Sequence, residues 1–362
     1  MAGPADSARI SARLNELYER HRLQDETRLA SYYASGRGYY PPAEAGEESD
    51  RFAICLATVD GEIYTAGDHD VPFALQSISK VFAYALALAD NRLEDVLSRV
   101  GVEPSGDAFN SIVFDERHHR PYNPMVNAGA LVTTDLVRGP SPARKLERIL
   151  GLMQVCAGDG PLEVDERTFS REMRSADRNR ATAYLMRAER MLDGDVEDLL
   201  SLYLHQCSVH VSCAQLAVMA ATFANGCVNP VTGERALPRP MARDVLSVMY
   251  TCGMYDAAGQ WAYEVGVPAK SGVSGGILAV VPGKLGIGVW SPGLDVYGNS
   301  VRGVDVCYEI ADRLGLHVFA GDDEDAMLGS GTPGKVRQAV TPRTPSAPLR
   351  EHRQPPVARP EG

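Results

Sequence analysis

The sequence SISKVFAYALALA, residues 77–89, is the stretch that decides the predicted fold. Residues three apart share one face of a helix, so Ser77 and Lys80 can touch each other while Val81 and Leu88 are buried. A serine beside a lysine is a nucleophile beside a base, and backbone N–H groups at a helix N-terminus favour an oxyanion. A capping serine followed by a surface lysine would explain the same pattern without any chemistry.

A segment in which every second residue is a large apolar one precedes this helix. Phe52, Ile54 and Leu56 alternate along a run that ends at the Asp-Gly of residues 60–61, and residues 63–65 resume the pattern. Asp-Gly between two alternating runs is a strong hairpin signal. The sequence therefore predicts a β-hairpin before the helix that carries Ser77.

Residues 91–249 are predicted to be mostly helical, with no credible strand pair. Apolar side chains recur at helical spacing in several segments of this region. The candidate helices are Leu93–Val100, Leu146–Ala157, Arg178–Met191, Asp195–Cys207 and Ala214–Ala224.

Strands return late in the chain. Residues 276–281 and 285–290 are β-like runs joined by Pro282-Gly283-Lys284, and residues 305–314 have the pattern of a closing helix. Joining the first and last strands gives the simplest topology. We expect an α+β fold, in which an antiparallel sheet is flanked by helices and a helical domain is inserted.

The chain divides by composition into three parts. Residues 6–34 suggest an amphipathic helix, and the end of the chain is acidic and then rich in proline, a composition that cannot bury a core. The predicted parts are an N-terminal helical segment (1–35), a catalytic unit (36–319, with its sheet at 36–90 and 250–319 and its helical subdomain at 91–249) and a disordered tail (320–362).

Composition also restricts the function. The formal net charge of −11 disfavours nucleic acid and anionic membranes as partners. The 7 cysteines form no Cys-x-x-Cys pair, and the N-terminus has no apolar signal-peptide core, so we expect a soluble cytoplasmic protein. The histidines show no metal-binding spacing and the glycines form no phosphate loop, so we expect no metal and no cofactor.

A second informative segment covers residues 268–276, with the sequence PAKSGVSGG. Lys270 stands beside Ser271, and Gly272 begins a series of glycines that would let a substrate approach the backbone. By itself this could be a glycine-rich turn. Together with the Ser-x-x-Lys pair it resembles, in order and context, the serine β-lactamases and penicillin-binding proteins.

Other stretches resemble a narrower family, the serine-dependent glutaminases. The resemblance extends from about residue 40 to residue 316. The strings that carry it are VPFALQS (71–77), NPMVNAGA (123–130), DRN (177–179), CGMYD (252–256), PAKSGVSGG (268–276), WSPGLD (290–295) and GNS (298–300).

This resemblance implies an amidohydrolase acting on a linear amide, which converts L-glutamine to L-glutamate and ammonia through an acyl-enzyme. Ser77 matches the nucleophile, Lys80 its base, and Tyr255 a tyrosine that contacts substrate and relays a proton. The backbone N–H groups of Ser77 and Val273 match the oxyanion hole. The other residues that match substrate contacts are Tyr40, Asn127, Glu172, Asn179 and Tyr203. The resemblance also suggests a homodimer or homotetramer.

The chemistry of glutamine agrees with these matches. A carboxylate such as Glu172 suits the substrate ammonium, and the amides of Asn127 and Asn179 suit its carboxylate. To act as a base, Lys80 must be neutral, so we expect burial and the nearby cation of Lys270 to lower its pKa.

Two alternative functions remain open at this point. One is a β-lactamase or D,D-peptidase, against which the absent signal peptide and the lack of a Ser-Asp-Asn element argue. The other is an inactive protein of this fold that binds an amino acid.

Overall fold

A five-stranded antiparallel sheet, in the order β2-β1-β8-β7-β6, organises the computed structural model. The structure describes residues 4–23, 50–107, 110–158, 160–295 and 297–320. All of these lie within the single unit Met1–Asp322. The strands of this sheet are β1 (Ala53–Thr58), β2 (Ile63–Gly67), β6 (Ala269–Ser271), β7 (Gly276–Val281) and β8 (Leu285–Trp290).

The predicted hairpin and the predicted pairing of early with late strands are both confirmed. β1 pairs with β2 around a turn in which Gly61 has a φ of 89°. β1 also pairs with β8, with Cys55 opposite Gly288. The antiparallel sheet with flanking helices is therefore the fold class that the sequence predicts.

Both faces of β1 are buried, because successive side chains of this strand pack alternately into two hydrophobic cores. Ala53 and Cys55 belong to a core that extends into the helical part of the chain. Ile54 and Leu56 belong to a second core on the opposite face. The second core is closed by helices α1 (Pro4–Arg22), α11 (Ala258–Glu264) and α12 (Val301–Arg313).

Helix α9 (Cys213–Ala224) covers the first face of the sheet at very close range. A Cβ on Gly286 would lie 2.2 Å from the backbone nitrogen of Ala221, and one on Gly288 would lie 2.7 Å from the backbone oxygen of Cys213. Glycine on β8 is therefore what lets this helix approach. The predicted helical subdomain includes α9, although α9 packs on the sheet; the division into subdomains stays a prediction.

The remaining helices lie between β2 and β6 in the chain. They are α2 (Ser79–Asp90), α3 (Leu93–Arg99), α4 (Asn127–Leu136), α5 (Pro142–Ala157), α6 (Glu166–Arg174), α7 (Asp177–Ala188), α8 (Val196–Cys207) and α10 (Pro240–Cys252).

The prediction that this region holds no strand pair is wrong. β3 (Phe73–Ala74), β5 (Val209–Val211) and β4 (Glu163–Val164) form a second antiparallel sheet in that order. Strands of two or three residues are too short to show alternation, so the sequence pattern could not reveal them. Leu75 N donates to Val209 O at 2.8 Å, which anchors the chain just before Ser77.

The N-terminal and C-terminal parts of the chain differ from prediction in detail. Helix α1 ends at Arg22, and residues 24–34 of the predicted N-terminal helix lie outside the described residues. The closing helix begins at Val301, earlier than predicted, because the side chain of Ser300 accepts a hydrogen bond from Gly303 N. The predicted tail, 320–362, lies outside the described residues except for Ala320.

Candidate active site

Ser77 and Lys80 meet where a 3₁₀ turn leads into α2. Ser77 lies in the turn Gln76–Ile78, and Lys80 is in the first turn of the helix. A hydrogen bond of 2.7 Å joins Lys80 Nζ to Ser77 Oγ. Ser77 is 7% exposed and Lys80 is fully buried. The pair therefore has the geometry of a hydroxyl nucleophile with an adjacent amine base.

Backbone strain immediately precedes the serine. Gln76 has a φ of 51°, a left-handed conformation that a non-glycine residue adopts at a cost of about 1–3 kcal/mol. Its side-chain amide donates to Glu172 Oε1 at 3.2 Å. Gln76 thus links the turn that presents Ser77 to helix α6. Sequence reasoning missed this residue, since glutamine carries no signal for a positive φ.

Burial controls the charge of the two lysines. Desolvation lowers the pKa of Lys80 to about 8. Lys270 is also fully buried, and its pKa lies well below the ordinary value because of desolvation first and repulsion from Lys80 second. The lower pKa of Lys80 agrees with expectation, and burial is its cause. The expected effect of the Lys270 cation is not seen on Lys80; the repulsion between the two lysines instead lowers the pKa of Lys270.

Lys270 lies on the edge strand β6 and supports Tyr255. Its Nζ donates to Gly253 O at 3.0 Å and to Ser271 O at 2.6 Å, and lies 4.1 Å from the centre of the Tyr255 ring. The Tyr255 hydroxyl donates to Ser271 O at 3.0 Å. Tyr255 has a φ of 55°, so it too is held in a left-handed conformation.

The turn after β6 comes close to the serine turn. A Cβ on Gly272 would lie 2.8 Å from Leu75 O, so a residue with a side chain could not pack there without a shift. Val273 follows and is 8% exposed. The Ser271 hydroxyl is buried without a hydrogen-bond partner among the described residues. The late glycine-rich segment and the Ser-x-x-Lys segment are thus neighbours in space.

A chain of buried polar side chains connects three helices of the site. Asn127 on α4 donates from its Nδ2 to Asn179 Oδ1 on α7 at 2.9 Å. The hydroxyl of Tyr203, on α8, donates to Asn127 Oδ1 at 3.3 Å. The ring of Tyr203 has its centre 5.8 Å from Lys80 Nζ. These contacts bring amide groups from separate helices to one location near Lys80.

Tyr255 also lines a cavity of about 370 Å³, large enough for a small molecule. Its wall includes Met125 and Val126, which immediately precede Asn127, and Asp256. Burial, and repulsion from Asp107, raise the pKa of Asp256.

Neither a metal site nor a membrane helix is found in the part of the chain that the structure describes. No group of three or more His, Cys, Asp or Glu side chains there could hold a metal ion. No described helix combines the length and apolar character that crossing a bilayer requires.

A family model described as glutaminase matches residues 38–319, most of the chain. The chain belongs to the glutaminase family. A glutaminase of Trichormus variabilis is 52% identical over 306 residues, which cover 84% of this chain and 89% of the relative. A glutaminase of Clostridium tetani is 45% identical over 282 residues, covering 77% of this chain and 92% of the relative.

Similar solved structures agree with the fold. A crystal structure of Mglu in its glutamate form has a TM-score of 0.79 at 42% identity, covering 89% of this chain and 71% of that chain. A probable glutaminase of Bacillus subtilis has a TM-score of 0.77 at 35% identity, covering 86% of this chain and 98% of that chain.

The structure brings together most of the residues that resemblance to glutaminases assigns to the site. The hydrogen bonds and close approaches described above link them in two groups. One group is Ser77, Lys80, Glu172, Asn127, Asn179 and Tyr203; the other is Tyr255, Lys270, Ser271, Gly272 and Val273. Tyr40 lies outside the described residues.

Proposed function

We propose that this protein hydrolyses L-glutamine to L-glutamate and ammonia, with Ser77 as nucleophile and Lys80 as base. The observation that carries the proposal is the 2.7 Å hydrogen bond between Lys80 Nζ and Ser77 Oγ, within a chain 52% identical to a glutaminase. Neutral Lys80 accepts the hydroxyl proton while Ser77 Oγ attacks the carbon of the side-chain amide. Ammonia leaves, and water then hydrolyses the glutamyl ester.

The oxyanion of this reaction is assigned to the backbone N–H groups of Ser77 and Val273. The close approach of Gly272 to Leu75 O supports the assignment, since it holds the end of β6 against the serine turn. Tyr255 is assigned the proton transfer to the leaving ammonia. Its support is the hydroxyl held at 3.0 Å from Ser271 O beside buried Lys270.

The two charged groups of the amino acid would be held by different elements. Glu172, on α6, is assigned to the substrate ammonium. Asn127, Asn179 and Tyr203 are assigned to the substrate carboxylate, and their mutual hydrogen bonds keep them oriented without substrate. Tyr40 is retained as a substrate contact on the family resemblance alone.

Compartment and assembly complete the proposal. We place the protein in the cytoplasm, because all of its cysteines are buried free thiols in the described residues. The homodimer or homotetramer is retained on the family resemblance alone. Sedimentation analysis would determine the assembly, and a monomer at all concentrations would contradict it.

Replacement of the nucleophile tests the function. Ser77→Ala removes the attacking hydroxyl, so ammonia release from L-glutamine should fall by at least about a thousandfold while the thermal unfolding transition is kept. Ser98→Ala is the matched control, since Ser98 is an exposed helical serine whose hydroxyl donates to Asp95 O. L-Asparagine and a chromogenic β-lactam serve as comparison substrates.

Each outcome of this assay decides between the functions considered. Turnover of the β-lactam but not of glutamine would replace the proposal with a β-lactamase activity. Glutamine binding without turnover in the wild-type protein would indicate an inactive binding protein. A folded Ser77→Ala variant that kept about a tenth of wild-type turnover would exclude Ser77 as nucleophile.

A further inference from the structure

The thiol of Cys207 lies behind the proposed base, in a position that the reaction described so far does not use. Cys207 is the last residue of α8 and is 3% exposed. Its Sγ lies 3.5 Å from Ser79 Oγ, at the first residue of α2. The helix turn that carries Lys80 therefore rests against this thiol.

Helix α8 presents two side chains to the base from successive turns. Tyr203 and Cys207 are four residues apart, so they share one helix face. Tyr203 faces Lys80 with its ring and Asn127 with its hydroxyl. A single face of α8 thus contacts both the substrate-binding amides and the turn of the base.

We propose that Cys207 is a positioning residue for the reaction: its thiol fixes the first turn of α2 and closes the space beside Lys80 to water. The inference rests on the proposed role of Lys80 as base. Cys207 itself touches neither substrate nor the reacting atoms, and acts through Ser79 and Lys80.

The charges around Lys80 explain why a thiol suits this position. Lys270 faces Lys80 from β6, Tyr203 and Cys207 face it from α8, and Glu172 on α6 acts on Cys207. Burial raises the pKa of Cys207, which favours the neutral thiol. A negative charge there would raise the pKa of Lys80. A neutral side chain there adds no counter-ion to the amine of Lys80, which favours the neutral form that a base requires.

Variants of Cys207 test this role through the pH profile as well as the rate. Cys207→Ala leaves a gap that water can enter, and water stabilises the ammonium form of Lys80. We expect kcat to fall about tenfold with KM changed less than about twofold, since the base is misplaced while the substrate contacts are kept. The acid limb of kcat/KM should move up by about half to one pH unit. Cys207→Ser keeps a neutral partner for Ser79, so this variant should restore most of kcat and most of the position of the acid limb.

Cys307→Ala is the matched control. Cys307, on α12, is a fully buried thiol of the second core, whereas Cys207 belongs to the first. This variant should lose stability but keep the wild-type kcat and pH profile. A Cys207→Ala variant with wild-type kcat and pH profile would overturn the proposal, and so would an equal shift of the acid limb in Cys307→Ala.

Two further variants keep the test decisive. If Cys207→Ala does not fold, Cys207→Val replaces it, because valine fills the space but cannot bond to Ser79. In that variant kcat should fall without a shift of the acid limb, and a wild-type kcat would contradict the positioning role. Lys80→Arg separates the two proposals: if it is active, the proposed base is wrong whatever Cys207 does.

Discussion

Lys80 and Lys270 are both buried within one site, yet their surroundings give them different tasks. Lys80 bonds to the hydroxyl of Ser77, whereas Lys270 bonds to two backbone carbonyls. The two carbonyls hold the Lys270 nitrogen beside the ring of Tyr255. We therefore assign proton transfer to Lys80 and support of Tyr255 to Lys270.

The charge of Lys80 predicts the pH dependence of the enzyme. Its pKa is lowered to about 8, and the base must be neutral, so kcat/KM should rise up to about pH 8 and then level. Below that value it should fall about tenfold per pH unit. Initial rates of ammonia release between pH 5.5 and 9.5, each with about 1% of KM as substrate, would measure this limb. A flat profile down to about pH 6 would exclude Lys80 as the base.

Substitution by arginine isolates the same role. Lys80→Arg keeps a cation but cannot deprotonate, so activity should fall at every pH, by at least about a hundredfold. Lys145→Arg, on α5, is the control, because the ammonium of Lys145 bonds to Asp135, and this variant should keep full activity. Full activity of Lys80→Arg would be incompatible with the mechanism.

At the scale of elements, the sequence predicts those helices and strands that are long enough to show a hydrophobic periodicity. The hairpin of β1 and β2 and the buried helix after Ser77 follow from alternation, an Asp-Gly turn and an apolar run. The sheet of β3, β5 and β4 does not, because its strands are too short. The positive φ values of Gln76 and Tyr255 carry no local signal either, since tertiary contacts hold them. The site contacts were predictable only through the family strings.

The contact of α9 with β8 gives a prediction about stability. Gly286→Ala would place a Cβ 2.2 Å from the backbone of Ala221, and two backbones cannot separate cheaply. The free energy of unfolding should fall by about 3 kcal/mol or more, measured by urea denaturation.

Gly151→Ala is the matched control and should have the opposite sign. Gly151 lies within α5, and a Cβ there meets nothing within 4 Å. Removing a helical glycine should raise the free energy of unfolding by about 0.5–1 kcal/mol. Equal effects of the two substitutions would show that the close contact with α9 does not restrict side-chain size at Gly286 on β8.

At the scale of the whole molecule, the burial of Lys80 costs stability. The pKa of Lys80 falls from 10.5 in the unfolded chain to about 8 in the folded protein. Between these values the unfolded chain binds more protons than the folded protein, so the free energy of unfolding decreases as pH falls from 10.5 to 8. Below about pH 8 the full penalty, about 3 kcal/mol at pH 7, is present.

Lys80→Met should therefore stabilise the protein while inactivating it. At pH 7 its free energy of unfolding should exceed that of wild type by up to about 3 kcal/mol, and the difference should shrink toward pH 10.5. Lys284→Met, in the turn between β7 and β8, is the control and should change stability by less than about 0.5 kcal/mol. Equal stability of wild type and Lys80→Met at pH 7 would show that burial does not penalise the ammonium.

The pairing of β1 with β8 has a consequence for how the enzyme folds during its synthesis. Ser77 leaves the ribosome before the helical region, while Val273 and strand β8 leave after it. Such a distant pairing forms late, because the long intervening segment must be made before its ends can close. Under the proposed mechanism, a nascent chain carries its nucleophile without the strand that would complete the oxyanion hole. The order of synthesis therefore delays activity: hydrolysis begins only once the last strands have been translated.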